Sequence, residues 1–499
     1  MRVIARYFAA LYLTAIVLAA TGCGSGSSSS SNNQFSSFPA ATVPLVKLST
    51  DTFTNATSQH ATEVEPGSFS FGQTIITSFQ VGRIAGGGAA DIGFAISSDA
   101  GATWKNGLLP GLTTFQAGGT NSAVSDTSVI YDSKHGVWII SSLPISTGNI
   151  HAVVSRSTDG GASWSSPIVV AQGANLDKDW ITCDNSTASP FYGNCYMEWD
   201  DNGNGNLVWM STSSDGGLTW ASASTPAGST HGLGAEQLVQ PNGTVAVPFW
   251  SDGSGEIESF LSSDGGATWN APVLVAAVNA RPAAGGLRDD PLPSAAMDSA
   301  GNIYVVWQDC SFRTNCTSND LVMSTSSDGV NWSAPARIPI DALTSGADHF
   351  IPGLGIDPAT GGGTAHLGLT YYYYYPQANC SASTCALFVG FISSTDGGTT
   401  WTSPTPIAGP MALSWLPSTS SGQMVADYIA TLFAGGKAYG FFAVAKAKSG
   451  TTFDQAIYTT QAGFDVAAGQ GRFSAAGERP VANAASGHAR AQSYPHTVR

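Results

Sequence analysis

Charge is what this chain has least of. Only 11% of its 499 residues are Asp, Glu, Lys or Arg, and 19 basic residues face 34 acidic ones for a net charge of -15. A phosphate backbone needs a basic face, and no cluster of Lys and Arg supplies one, so nucleic acid is excluded as a partner. Cysteine is scarce as well, at seven residues, and no His or Cys group has zinc spacing, so no metal centre of that kind is expected. What is plentiful is glycine, 58 residues, alongside 42% hydrophobic residues, the composition of a turn-rich, all-β chain.

The first residues, "MRVIARYFAALYLTAIVLAATGC", place Arg2 and Arg6 before an apolar run and small residues, which predicts a signal peptide over 1–22. Cys23 after Ala20-Thr21-Gly22 resembles the lipobox of bacterial lipoproteins, which implies lipidation of Cys23 and export to the cell surface or periplasmic side. Residues 23–41, mostly Ser and Gly, are then expected to be a flexible tether. The six remaining cysteines fall into sequence-local pairs, Cys183 with Cys195, Cys310 with Cys316 and Cys380 with Cys385. In an exported chain such pairs predict loop-stapling disulfides. Residues 468–499 lack apolar periodicity and are expected to be a disordered tail.

Between these ends one short pattern recurs. "SSDGGATW" from Ser262 has relatives starting at Ser97, Ser157, Ser213, Ser326 and Ser394, each after an apolar strand-like run, with aspartates at 99, 159, 215, 264, 328 and 396. Asp and Ser can cap backbone N–H groups, Gly accepts positive φ and Trp covers the gap between strands, so these residues have structural duties. A repeat of this size with strand signals predicts a β-propeller of four-stranded blades. The pattern resembles the Asp-box, or BNR repeat, of the sialidase-like propellers over roughly residues 60–410. Counting blade entrances that begin with a carboxylate gives seven blades over 42–467, with the sialidase count of six as the alternative. The seventh would be completed by "TVPLVKL" at 42–48, pairing terminus to terminus so that no sheet edge stays open.

If each repeat joins the third and fourth strands, the functional face is the opposite one, built from the blade entrances. Glu63, Glu65, Asp126, Asp177, Asp179, Glu236, Asp289, Asp290, Asp348 and Asp427 lie there. Clustered carboxylates split their pKa values, which suits acid/base work, although any of them can instead bond to backbone N–H groups. Glu236 and Asp126, each the only acid of its entrance, are the expected catalytic groups together with Asp179; Glu65 and Asp427 are expected to contact substrate. Aligning the repeats puts Arg83 and Arg313 in equivalent loops, with Arg288 at an entrance, a set able to hold a sugar carboxylate or simply to pair with neighbouring acids.

Resemblance to sialidases implies an arginine triad, a carboxylic acid/base and a tyrosine paired with a glutamate. "GRIA" around Arg83 is similar to their Arg-Ile-Pro signature without the Pro, and Tyr373, within the run Tyr371–Tyr375, is the tyrosine expected at the substrate. No cofactor is expected; "DDNGNG" from Asp200 begins like a calcium loop but lacks the terminal acid, so a polar turn is the simpler reading and Ca²⁺ the other. The resulting expectation is a monomeric exported glycosidase, exo-α-sialidase-like, acting on a terminal acidic sugar and touching the membrane only through its lipid. A lyase of uronate polymers and a non-catalytic propeller binding carbohydrate or protein are the alternatives, because fold does not fix function.

Overall fold

The computed structural model describes residues 40–375, 378–469 and 480. The expected leader, Cys23, most of the tether and nearly all of the tail lie outside the described residues. Regular structure within them consists of 29 strands and five short 3-10 turns, so the chain is all-β. No helix among the described residues is long and apolar enough to cross a membrane.

The strands form a β-propeller. Val137–Ser146 and Ala386–Ser394 are buried almost throughout. Sheets stacked face to face cover both sides of such strands, which explains their nearly continuous apolar sequence. Successive inner strands lie beside one another around a common axis, and Ala430–Ala434 returns to Glu63–Phe71 to close the ring. Their backbones approach closely: a Cβ on Gly355 would stand 2.4 Å from the Thr431 carbonyl oxygen of the next inner strand, which only glycine tolerates.

Sheet pairing corrects the expected blade count. Among the described residues there are five sheets of four or more strands, with a three-stranded sheet and a two-stranded ribbon besides, not seven or six separate four-stranded blades. Two effects cause the difference. A ladder contact between Ala89 and Val124 fuses the first eight strands after Leu45–Lys47 into one sheet. The sheet that starts at Leu176–Cys183 has no regular fourth strand, since the chain beyond its third strand meets it only in isolated pairs such as Met210 with Ser224. Terminus-to-terminus pairing is present: Leu45–Lys47 runs antiparallel to Thr452–Thr460, with Leu45 opposite Thr460.

Six Ser-x-Asp turns join third strands to the segments that follow. At Ser262, the Ser hydroxyl donates to Asp264 Oδ1 (2.9 Å), and Thr268 donates to the same carboxylate through its N–H (2.9 Å) and hydroxyl (2.6 Å). Gly266 N–H donates back to Ser262 Oγ at 2.9 Å, and its φ of +84° is one that a side chain would strain. Three sequence-local disulfides are formed, Cys183–Cys195 between the first two strands of a sheet, Cys310–Cys316 and Cys380–Cys385 in loops between second and third strands.

Candidate functional site

Four inner strands repeat one distortion at their entrances. Glu65, Asp126, Lys178 and Ile351 have φ of +56°, +44°, +47° and +50°, each at a register shift in the ladder to the second strand. A bulge with a left-handed residue turns its side chain out of the strand's alternation, and non-glycine residues adopt that conformation at a cost. Three of the four residues so turned are ionisable, and they meet.

Lys178 is the hub. Its ammonium lies 2.6 Å from Asp427 Oδ2, 3.5 Å from Asp126 Oδ1 and 3.6 Å from Glu65 Oε1. Arg288 pairs with the same Asp427 oxygen, and Gln80 donates to Glu65 Oε2. Arg83 donates to the Met424 sulfur and the Gly88 carbonyl, both at 3.0 Å, and senses Arg288 as its nearest like charge. All six charged groups are at most 6% exposed. Met424 and Arg288 are held in turn by the 418–423 hairpin: Arg288 N–H donates to the Gln423 carbonyl (2.8 Å), and Gln59 donates to the Ser418 carbonyl (3.0 Å).

This environment pushes neighbouring carboxyls in opposite directions. Burial lifts Glu65 to about 8 against the pull of Lys178, with Asp427 and Asp126 adding to the rise. Burial likewise raises Asp126 and, further, Asp179. Asp427 is buried too, yet Arg288 and Lys178 hold it well below the usual carboxylate range. Lys178 stays charged because Asp126, Asp427 and Glu65 outweigh its desolvation. A protonated acid and an ionised carboxylate thus share one cation, the division that acid/base chemistry uses.

Of the residues singled out in the sequence, the axis gathers Arg83, Arg288, Glu65, Asp126 and Asp427, with Asp179 beside Asp126. Glu236 is not in this ionic group: its carboxylate accepts from Ala295 N–H at 2.8 Å, and burial alone lifts it to about 8. Arg313 does not converge with Arg83 and Arg288, because Asp320 (2.6 Å) and Asp341 (2.7 Å) take its guanidinium in a cluster with Arg337. Tyr373 stands on a second strand, stacked between His349 and Phe388, away from the axis. Its neighbours are core: Tyr372 donates to the Ala443 carbonyl (2.8 Å) and Tyr374 to that of Ala284 (3.0 Å). At "DDNGNG", Asp201 caps the 3-10 turn Asn202–Asn204 by accepting from Gly203 N–H, the polar-turn reading.

Sequence reasoning missed Lys178 and Tyr428. The signal for the first was available, a lone Lys between two acids in "DKDW". Tyr428 accepts from Thr127 N–H (3.1 Å), and Lys178 Nζ lies 5.6 Å from its ring centre. Trp180 packs against it with ring centroids 4.8 Å apart. Both rings also line an axial cavity of about 900 Å³, bordered further by Glu236, Ser294, Leu354 and Phe433. The ring pair therefore adjoins the ionic cluster and the cavity alike.

No protein-family model and no curated protein matches the sequence. Among solved structures, the chain is similar in shape to a Hadza microbial sialidase (15% identity, TM-score 0.40, 80% of this chain and 66% of that one). It is similar also to the NanB sialidase of Streptococcus pneumoniae (14%, 0.40, 86% and 72%) and to an α-L-arabinanase of Penicillium chrysogenum (13%, 0.42, 85% and 98%). The chain spans about two thirds of the first of these proteins. At such scores the likeness concerns architecture and transfers no chemistry.

Proposed function

We propose that the protein is an exported glycoside hydrolase that removes a terminal acidic sugar, with the Lys178 cluster as its active site. The observation that carries this reading is the opposed ionisation of Glu65 and Asp427 around one ammonium. Glu65, protonated near neutral pH, serves as the proton donor to the leaving oxygen, and Asp427 or Asp126 as the carboxylate that stabilises or attacks the anomeric centre. Arg83, Arg288 and Lys178 are the cations for the sugar's own carboxylate. Tyr428, whose hydroxyl feels Glu65 and Asp126, is the proposed tyrosine partner. The three disulfides fit an extracytoplasmic compartment, and Cys23 is the proposed lipid anchor.

The test is incubation of the full chain with sialoglycans and uronate polymers, following free acidic sugar and the absorbance of unsaturated products. Release of free sugar, reduced on the order of 10²-fold or more in Glu65→Gln and in Asp427→Asn, is the expected result. An unsaturated product would identify a lyase instead, and saturable binding without turnover a binding module. Activity that survives both substitutions would move the site elsewhere.

A further inference from the structure

A wall of acids stands beside the Lys178 cluster and is not used by the proposed chemistry. Glu198 and Asp200 lie two residues apart on Cys195–Asp201, so both point to one face of that strand. Tyr196, of the same parity, packs with Val245, Val247 and Phe249, which puts Glu198 and Asp200 on the side of the following sheet. Across the ladder, Asp177 is directly opposite Asp200, and Trp180 opposite Glu198. Both side chains are completely buried, and all four of their carboxylate oxygens lack a hydrogen-bond partner. Asp179 adds a third buried carboxylate, with the Ser141 hydroxyl, its own backbone N–H and the acids Asp126 and Asp177 around it.

Burial of a carboxylate without a partner is costly: a proton offsets the charge, in the direction burial pushes both groups, whereas a cation offsets it and also satisfies the bare oxygens. The nearest cation is committed: Lys178 makes its short contact to Asp427 and is shared with Glu65 and Asp126. Asp177 is the common neighbour, felt by Glu198 and Asp200 alike. The donors are all oxygen, the set that hard divalent cations take and that thiophilic metals do not. Among the described residues two other groups of ligand type are already closed within 4.8 Å, but Asp132, Cys183 and Cys195 include a disulfide, and Asp320 and Asp341 beside His349 hold arginines.

We propose that Asp177, Glu198 and Asp200 bind a hard divalent cation, Ca²⁺, which draws the three carboxylates together behind the active-site wall. The ion neutralises the acids next to Asp126 and keeps Lys178 available to Asp427. The site uses Asp200 from its strand and not the 202–204 turn, where Asp201 is occupied as a cap, and it does not depend on which reaction the cluster performs.

The experiment uses the full chain stripped with EDTA and titrated with Ca²⁺, read by thermal unfolding and by Tb³⁺ luminescence sensitised through the nearby Trp180. Expected are saturable Tb³⁺ emission displaced by Ca²⁺ and a rise in Tm of roughly 3 °C at 100-fold excess over the dissociation constant. In Glu198→Gln/Asp200→Asn both responses are lost, while Tm in EDTA is at or above that of the unsubstituted chain. Absence of a saturable response in the unsubstituted chain overturns the proposal, and so does a response that persists in the variant. If the double variant fails to fold, Glu198→Gln alone, read by Tb³⁺ affinity, decides. Sugar release enters neither readout, so this proposal and the proposed hydrolysis fail separately.

Discussion

At the outer turns Asp99 and Asp159 stand in water, and hydroxyl and N–H bonds from Thr103 and Ser163, with Ser97 and Ser157, lower them to about 2. At the axis Glu65 and Asp289 are sealed from solvent, and burial raises them to about 8 and about 7. The same chemical group is ringed by donors and water at one place; at the other it keeps one or two donors, Gln80 for Glu65 and Ala283 N–H with Gln308 for Asp289, and burial outweighs them. The difference separates scaffold from candidate site: a carboxylate that serves a turn is held ionised by local bonds, whereas a buried axial one is set mainly by dryness and, at Glu65, by neighbouring charges.

The contrast breaks most severely at Lys178. Replacing it with Met leaves Asp427, Asp126 and Glu65 without their shared ammonium, and removal of one partner of a buried ionic group costs about 3–5 kcal/mol, measurable by urea unfolding. The pH dependence of stability sharpens the contrast without mutation. Glu65, Glu63 and Glu236 titrate near 8 in the fold, above the ~4.3 of the unfolded chain, so they hold their protons when folded. Their effect is full below about pH 4.3 and declines as pH rises toward 8. The turn aspartates act in the opposite sense, stabilising above about pH 3.9 and losing that stability as pH falls toward 2. The urea midpoint is therefore expected to peak near pH 4–5 and to fall on both sides, and a midpoint that climbs from pH 5 to 8 would contradict the axial assignment.

A smaller effect is expected at a single turn. Asp264→Ala removes three hydrogen bonds from an exposed loop and should cost about 1 kcal/mol with sugar release unchanged. Smallest of all is Glu236→Gln, whose amide oxygen can still accept from Ala295 N–H, so stability should change by less than about 1 kcal/mol and turnover not at all. A large loss of turnover there would return Glu236 to the catalytic group.

The turns were legible in the sequence because their chemistry is local: Ser, Asp, Gly and Trp at fixed offsets bond to one another wherever the turn occurs. Pairing of the two ends was legible too, since "TVPLVKL" reads as a strand and the last repeat lacks one. The number of sheets was not, because the Ala89 to Val124 contact that fuses two repeats leaves no mark in composition. The axis was half legible. Acids at entrances pointed to it, but the left-handed bulges that rotate Glu65, Asp126 and Lys178 inward carry no glycine, and only Asp126 is of a type enriched in that conformation. Arg83 and Arg313 aligned by sequence and diverged in space, because Asp320 and Asp341 claimed one of them.

Leu45–Lys47 completes a sheet whose other strands come from residues 430–460, and Ser49 accepts a bond from Ile457 N–H, 408 residues away. The molecule is in that respect a loop fastened by a late-made strand against an early one. Until the segment around residue 460 has been made, the early strand has nothing to zip onto, and the ring stays open. Closure of the ring thus waits for residues 452–460, and a truncation that spares every residue of the axis but ends before 452 would leave it unlatched.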